Sequence, residues 1–162
     1  MPSSDNGAPR PHEPLEQIRR LHTTAHPHCV VCGADKPRGL QVDFRPTADG
    51  GVEAHFDCVN VFEGYSRRIH GGVIAALLDG AMTNCLFAHG RVAVTAELTV
   101  RYRHPVMTDR RATVRARIRE SSHGLHRVSA ELLQDDRILV MATAKFLESA
   151  DNAPEPANRM AK

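Results

Sequence analysis

Residues 71–88 form an apolar run with helical spacing, broken by one carboxylate, Asp79. Ile74, Leu77, Leu78, Ala81, Met82 and Cys85 recur at that spacing, and His89-Gly90 supplies a stop. A helix that is apolar on most sides cannot lie on a surface; other elements must enclose it. The rest of the chain offers strands for that purpose. Val42 and Phe44 alternate with polar neighbours, residues 47–51 read as a hairpin turn, and Val52, Ala54, Phe56 and Cys58 alternate again. Residues 59–69 show no period and read as a loop.

Four further period-two segments follow the helix. Their expected inward sets are Val92, Val94, Ala96, Leu98, Val100 and Tyr102; Ala112, Val114, Ala116 and Ile118; Val128, Ala130 and Leu132; and Ile138, Val140, Ala142, Ala144 and Phe146. Turn residues separate them at 105–109, 121–124 and 134–136. Many inward residues are alanines, which let a sheet curve closely around a helix. The expected fold is α+β: an antiparallel sheet of about six strands wrapped around one long central helix, the hotdog arrangement. Residues 28–148 hold this domain. Residues 1–27 read as a flexible segment with a short helix over 13–22, Leu15, Ile18 and Leu21 sharing a face. Residues 149–162 read as a disordered tail.

Charge and composition narrow the partners. A formal net charge of +2 gives no reason to expect nucleic acid or a membrane surface. With no Trp, two Tyr and five Phe, a base-stacking platform is not expected either. The N-terminus lacks the charged and apolar regions of a signal peptide, so a reducing cytoplasmic setting is expected. Cysteines 29, 32, 58 and 85 then read as thiols or metal ligands before disulfides. Cys29 and Cys32 are half of a zinc site, which His26 or His28 could complete; the alternative is a turn with two buried thiols ahead of the first strand.

Gly71-Gly72 at a helix start leaves bare backbone N–H groups, suited to polarising a carbonyl. Asp79 lies eight residues beyond Gly71, roughly 12 Å along a helix axis. The two cannot serve one reaction within one helix. An antiparallel second copy would bring its own Asp79 close, giving a two-fold dimer with two shared sites. Ala76, Gly80 and Ala81 would permit such an approach. The plainer alternative is that the glycines only pack and Asp79 caps or pairs internally; the cost of burying a carboxylate weighs against an idle one.

The stretch His70-Gly71-Gly72-x6-Asp79, with Thr95 in a strand ending Arg101-Tyr102-Arg103-His104-Pro105, resembles the hotdog-fold acyl-CoA thioesterases. Within that family it resembles the PaaI-like and thioesterase-superfamily-member group. Cys29-Val30-Val31-Cys32-Gly33 with Pro37-Arg38-Gly39-Leu40 resembles an N-terminal signature of one bacterial branch. The resemblance implies hydrolysis of an acyl-CoA thioester to free acid and CoA. It implies that Gly71 N–H holds the thioester carbonyl, and that Asp79 of the opposite subunit is general base or nucleophile. Thr95 would help hold the water, although alternation places it on the polar side of its strand. His70 would fix the local turn. Coenzyme A enters as part of the substrate and no cofactor is required; the expected assembly is a homodimer or a dimer of dimers.

Arg67, Arg68 and Arg103 suit coenzyme A phosphates, Tyr65 with Phe62 and Met82 an acyl pocket, and Gly64 and Gly72 the carbonyl end of the substrate. Two positions depart from the family pattern: Gly64 stands where some members carry Asn, and Gly80 where many carry Glu. The alternative function is a non-catalytic hotdog module that binds acyl-CoA as a sensor or scaffold.

Overall fold

A computed structural model describes residues 13–33 and 38–148. The expectations for residues 1–12 and 149–162, and for Pro37, fall outside the described residues. Helix α1 spans Glu13–Thr24, followed by strands β1 (Arg45–Pro46) and β2 (Val52–Asp57). Helix α2 spans Gly71–Ala88, and strands β3 (Val94–Tyr102), β4 (Arg111–Ser122), β5 (Leu125–Gln134) and β6 (Arg137–Leu147) complete the order. The strands form one antiparallel sheet in the order β1-β2-β4-β5-β6-β3. The sheet wraps α2 as the sequence predicts.

Both ends of α2 follow from local chemistry. His70 is the N-cap, and its Nδ1 accepts the Gly72 N–H at 2.9 Å. Gly90, at φ +68°, ends the helix: its N–H bonds the Phe87 carbonyl and Arg91 N–H bonds that of Leu86. By length and composition α2 could cross a bilayer. In the fold it is a core helix instead, with every residue from 77 to 88 buried except Asp79. Helix α1 packs into the same core through Ile18 and Leu21.

The structure departs from strict alternation or expected pairing at three places. Val42 and Phe44 are buried as expected, but only Arg45–Pro46 pairs with β2. Just upstream, Leu40 N–H and Val42 N–H bond the Val30 and Val31 carbonyls, so that backbone is committed to the cysteine loop. In β6, pairing passes from Leu132↔Val140 to Leu133↔Ile138, leaving Leu139 as the extra residue. Leu139 is buried and Ile138 is exposed, against the expected alternation. In β3 the pairing passes from Thr95↔Phe146 to Glu97↔Lys145, leaving Ala96 as the extra residue. Val94, expected inward, is 46% exposed, and Ala96 is exposed.

Candidate active site

The bulge at Ala96 decides where Thr95 points. Strict alternation from Leu98 and Val100 would turn Thr95 outward. One inserted residue reverses the parity, so Thr95 pairs with buried Phe146 and shares the helix-facing side with Leu98. From there its hydroxyl donates to Asp79 Oδ1 at 2.7 Å. The expected polar-side placement of Thr95 is thereby corrected.

Asp79 is half-buried, and burial pushes its pKa above the ordinary carboxylate value. The Thr95 hydrogen bond pulls it back, a nearby Cys29 thiolate raises it, and His26 lowers it. A carboxylate so placed is a stronger base than an exposed one.

At the other end of α2, Gly71 N–H has no protein acceptor among the described residues. It is a free donor at the positive end of the helix dipole. Gly72 N–H is committed to His70, which removes Gly72 as a main-chain donor to substrate and makes His70 the cap of the first turn of α2. Gly64 lies against His70: a Cβ there would stand 3.1 Å from the imidazole Cδ2 and 3.2 Å from His70 Cα. Sequence reasoning missed Tyr102, whose hydroxyl donates to the Gly71 carbonyl at 2.7 Å. The tyrosine ties the edge strand β3 to the first residue of α2. The sequence placed it at the inward end of a period-two strand, inside the motif at 101–105, with no role of its own.

The remaining candidates scatter. Arg67 is held in an ion pair with Asp109 at 3.2 Å, while its N–H bonds Glu63. Arg68 and Arg103 are exposed and have no acidic partner among the described residues. Tyr65 is 83% exposed, and Met82 is fully buried core rather than pocket lining. Gly80 and Ala81 are buried within the chain, so neither can face a second copy. A Cβ on Gly80 would meet Val31 Cγ1 at 2.6 Å, so glycine here admits the cysteine loop onto α2. The stripe of α2 left uncovered is Gly72, Ala75, Ala76 and Asp79, at i, i+3, i+4 and i+7. Arg111 and Arg115 pair across strands with Asp57 and Glu53, and Arg117 pairs with Asp49 in the β1–β2 turn, all on the solvated outer face of the sheet. A cavity of about 420 Å³ bordered by Asp49, Glu53, Arg115 and Arg117 lies on that charged face and holds none of the site residues.

Among the zinc candidates, the ligand atoms of His26, Cys29 and Cys32 cluster together, and His28 is not among them. Cys29 is half-buried and Cys32 buried. The Cys32 thiol hydrogen-bonds Cys29, which holds the Cys29 thiol well below its ordinary pKa and raises that of Cys32.

Residues 68–141 match the model of the thioesterase superfamily, a segment that contains His70, Gly71, Asp79, Thr95 and Tyr102. A solved thioesterase superfamily protein is similar at 20% identity, with a TM-score of 0.73, 88% of this chain and 68% of that one covered. The E. coli PaaI protein of the phenylacetic acid degradation operon is similar at 15% identity, TM-score 0.72, covering 85% and 94%. The fold is that of the hotdog thioesterases. A hypothetical thioesterase protein of Streptococcus pneumoniae TIGR4, solved with coenzyme A, shares this hotdog fold at 19% identity, TM-score 0.61, covering 65% and 86%. It has also been solved with alanine replacing a threonine and, separately, an aspartate. No curated protein matches the chain in sequence.

Proposed function

We propose that this chain is an acyl-CoA thioesterase, a homodimer whose two active sites each draw on both protomers. The hydrogen bond from Thr95 to Asp79 carries the reading. It orients a half-buried carboxylate on an otherwise apolar helix, leaving Oδ2 without a protein partner among the described residues and available to a water. In the proposed reaction, Asp79 of one protomer takes a proton from water as its oxygen attacks the thioester carbon. The carbonyl oxygen becomes an oxyanion held by Gly71 N–H of the other protomer and by the α2 dipole. Collapse breaks the C–S bond, and the CoA thiolate leaves and is protonated. His70 and Tyr102 fix the first turn of α2 that presents Gly71.

Two features support the dimer. The uncovered stripe of α2 holds only small residues besides Asp79, which suits close approach of a second α2. Strand β3 is an edge strand of nine residues with Val94 and Tyr102 about half exposed, a surface that invites pairing. Arg68 and Arg103 are the cations proposed for the coenzyme A phosphates. The aspartate and threonine replaced in the Streptococcus pneumoniae protein are sixteen residues apart, the separation of Asp79 and Thr95 here. The proposed setting is the reducing cytoplasm, consistent with four free cysteines.

A thiol-release assay over acyl-CoAs of several chain lengths and with aromatic acyl groups tests the proposal. Wild-type protein is expected to release CoA, and Asp79→Asn to lose roughly 10²–10⁴ of that rate while remaining a dimer. Acyl-CoA binding without thiol release by wild type would replace the enzyme with a binding module.

A further inference from the structure

We propose that His26, Cys29 and Cys32 form a binding site for a zinc-class divalent cation, on the loop that packs against α2 beside Asp79. The site lies outside the segment matched to the thioesterase superfamily and does not depend on thioester hydrolysis. The ligand atoms of the three residues all lie within 4.8 Å of one another. Ligands of a tetrahedral zinc stand roughly 3.5–3.8 Å apart. Small side-chain movements would close the triangle.

The second observation is His26 Nδ1. That atom is buried and makes no hydrogen bond of ordinary geometry, the one such side-chain nitrogen or oxygen among the described residues, and the imidazole's nearest polar interaction is with the Cys29 thiol. Buried polar atoms ordinarily find a partner. A cation bound by the neighbouring thiolates would supply one. The ring is held in place by an edge contact with Phe87, centroids 5.2 Å apart at 88°.

The loop is built to bring these groups together. Gly33 N–H bonds the Cys29 carbonyl at 2.8 Å, and a Cβ at Gly33 would stand 2.5 Å from that oxygen. Val31 N–H points at Cys29 Sγ at 3.4 Å, an amide-to-sulfur contact of the kind that steadies a thiolate ligand. Gly80 leaves the room that Val31 fills. Two thiolates and a dication sum to zero charge, which suits a largely buried site. Three protein ligands leave a fourth position for water.

The test uses the full-length chain, purified without chelator or histidine tag under reducing conditions. Elemental analysis is expected to find about one zinc per chain. Cobalt titration is expected to give thiolate-to-metal charge-transfer absorption and the visible bands of tetrahedral Co²⁺. Cys29→Ser and His26→Gln should each lose the metal while keeping the wild-type circular dichroism; two variants are used so that a folding failure in one leaves the other. Removing the metal with chelator should lower the melting temperature, and zinc should restore it. The proposal is overturned if the reduced protein neither carries zinc nor takes up zinc or cobalt. It is equally overturned if both variants keep full metal content. A Cys29–Cys32 disulfide in the isolated protein, with no metal uptake after reduction, would replace the site with a redox pair.

Discussion

Asp79 is a carboxylate that its surroundings make harder to ionise, and that has consequences for both stability and rate. Its folded pKa lies above the ordinary value, chiefly through burial. The stability linked to this group is therefore full below the unfolded carboxylate pKa and is lost as pH rises through the raised folded value. Asp79→Asn removes that titration and retains an oxygen to accept from Thr95. Thermal unfolding should show the variant at least as stable as wild type, with its advantage growing from acid to neutral pH. Thr95→Val acts in the other direction on the same group. It deletes the hydrogen bond that favours the anion, so the Asp79 pKa should rise further. The acid limb of the kcat/KM profile should move to higher pH; a limb that stays in place would mean that Asp79 is not the titrating base.

At the scale of elements, α2 and the cysteine loop are fitted to each other through Gly80 and Val31. An alanine at 80 would gain up to about 1 kcal/mol of helix propensity. It would also force Val31 away from a 2.6 Å contact, and Val31 is a stiff, buried side chain. Overpacking of this kind costs about 1–3 kcal/mol, so Gly80→Ala should be net destabilised in urea unfolding. Val31→Ala in the same background should relieve part of that loss, giving a coupling of at least ~0.5 kcal/mol between the two positions. Additive effects would show that the two residues do not press on one another. Glycine at position 80 is thus explained by packing within the chain.

For the whole molecule, the decisive question is whether Gly71 and Asp79 act across a two-fold axis. Gly71→Pro removes the donor N–H at a first helical position that tolerates proline. The preceding His70, at ψ 134°, already has the extended backbone that a following proline requires. Gly71→Pro and Asp79→Asn should each be inactive. Unfolded together and refolded as a mixture, they should recover roughly a quarter of wild-type turnover, because half the dimers are mixed and each mixed dimer has one intact site. No recovery, with mixed dimers demonstrated, would place both groups in one chain.

The central helix, the run of strands and the separation of Gly71 from Asp79 are legible in the residues alone. Those are local periodicities: 3.6 residues for a helix enclosed by a sheet, two for strands with one buried face, and a fixed rise per residue. Residues 71–88 form α2 with the predicted ends. Which side chains meet depends on the folded chain. Thr95 faces Asp79 because pairing with β6 leaves Ala96 as an extra residue, and cross-strand pairing is not encoded in the alternation of β3 alone. The same holds for Leu139, which displaces Ile138 from the core. Tyr102 reaches Gly71 across 31 residues, and Val31 reaches Gly80 from a loop with no period of its own. Periodicity assigns faces. Contacts between distant segments depend on register and close approach, which exist only once the sheet has closed around the helix.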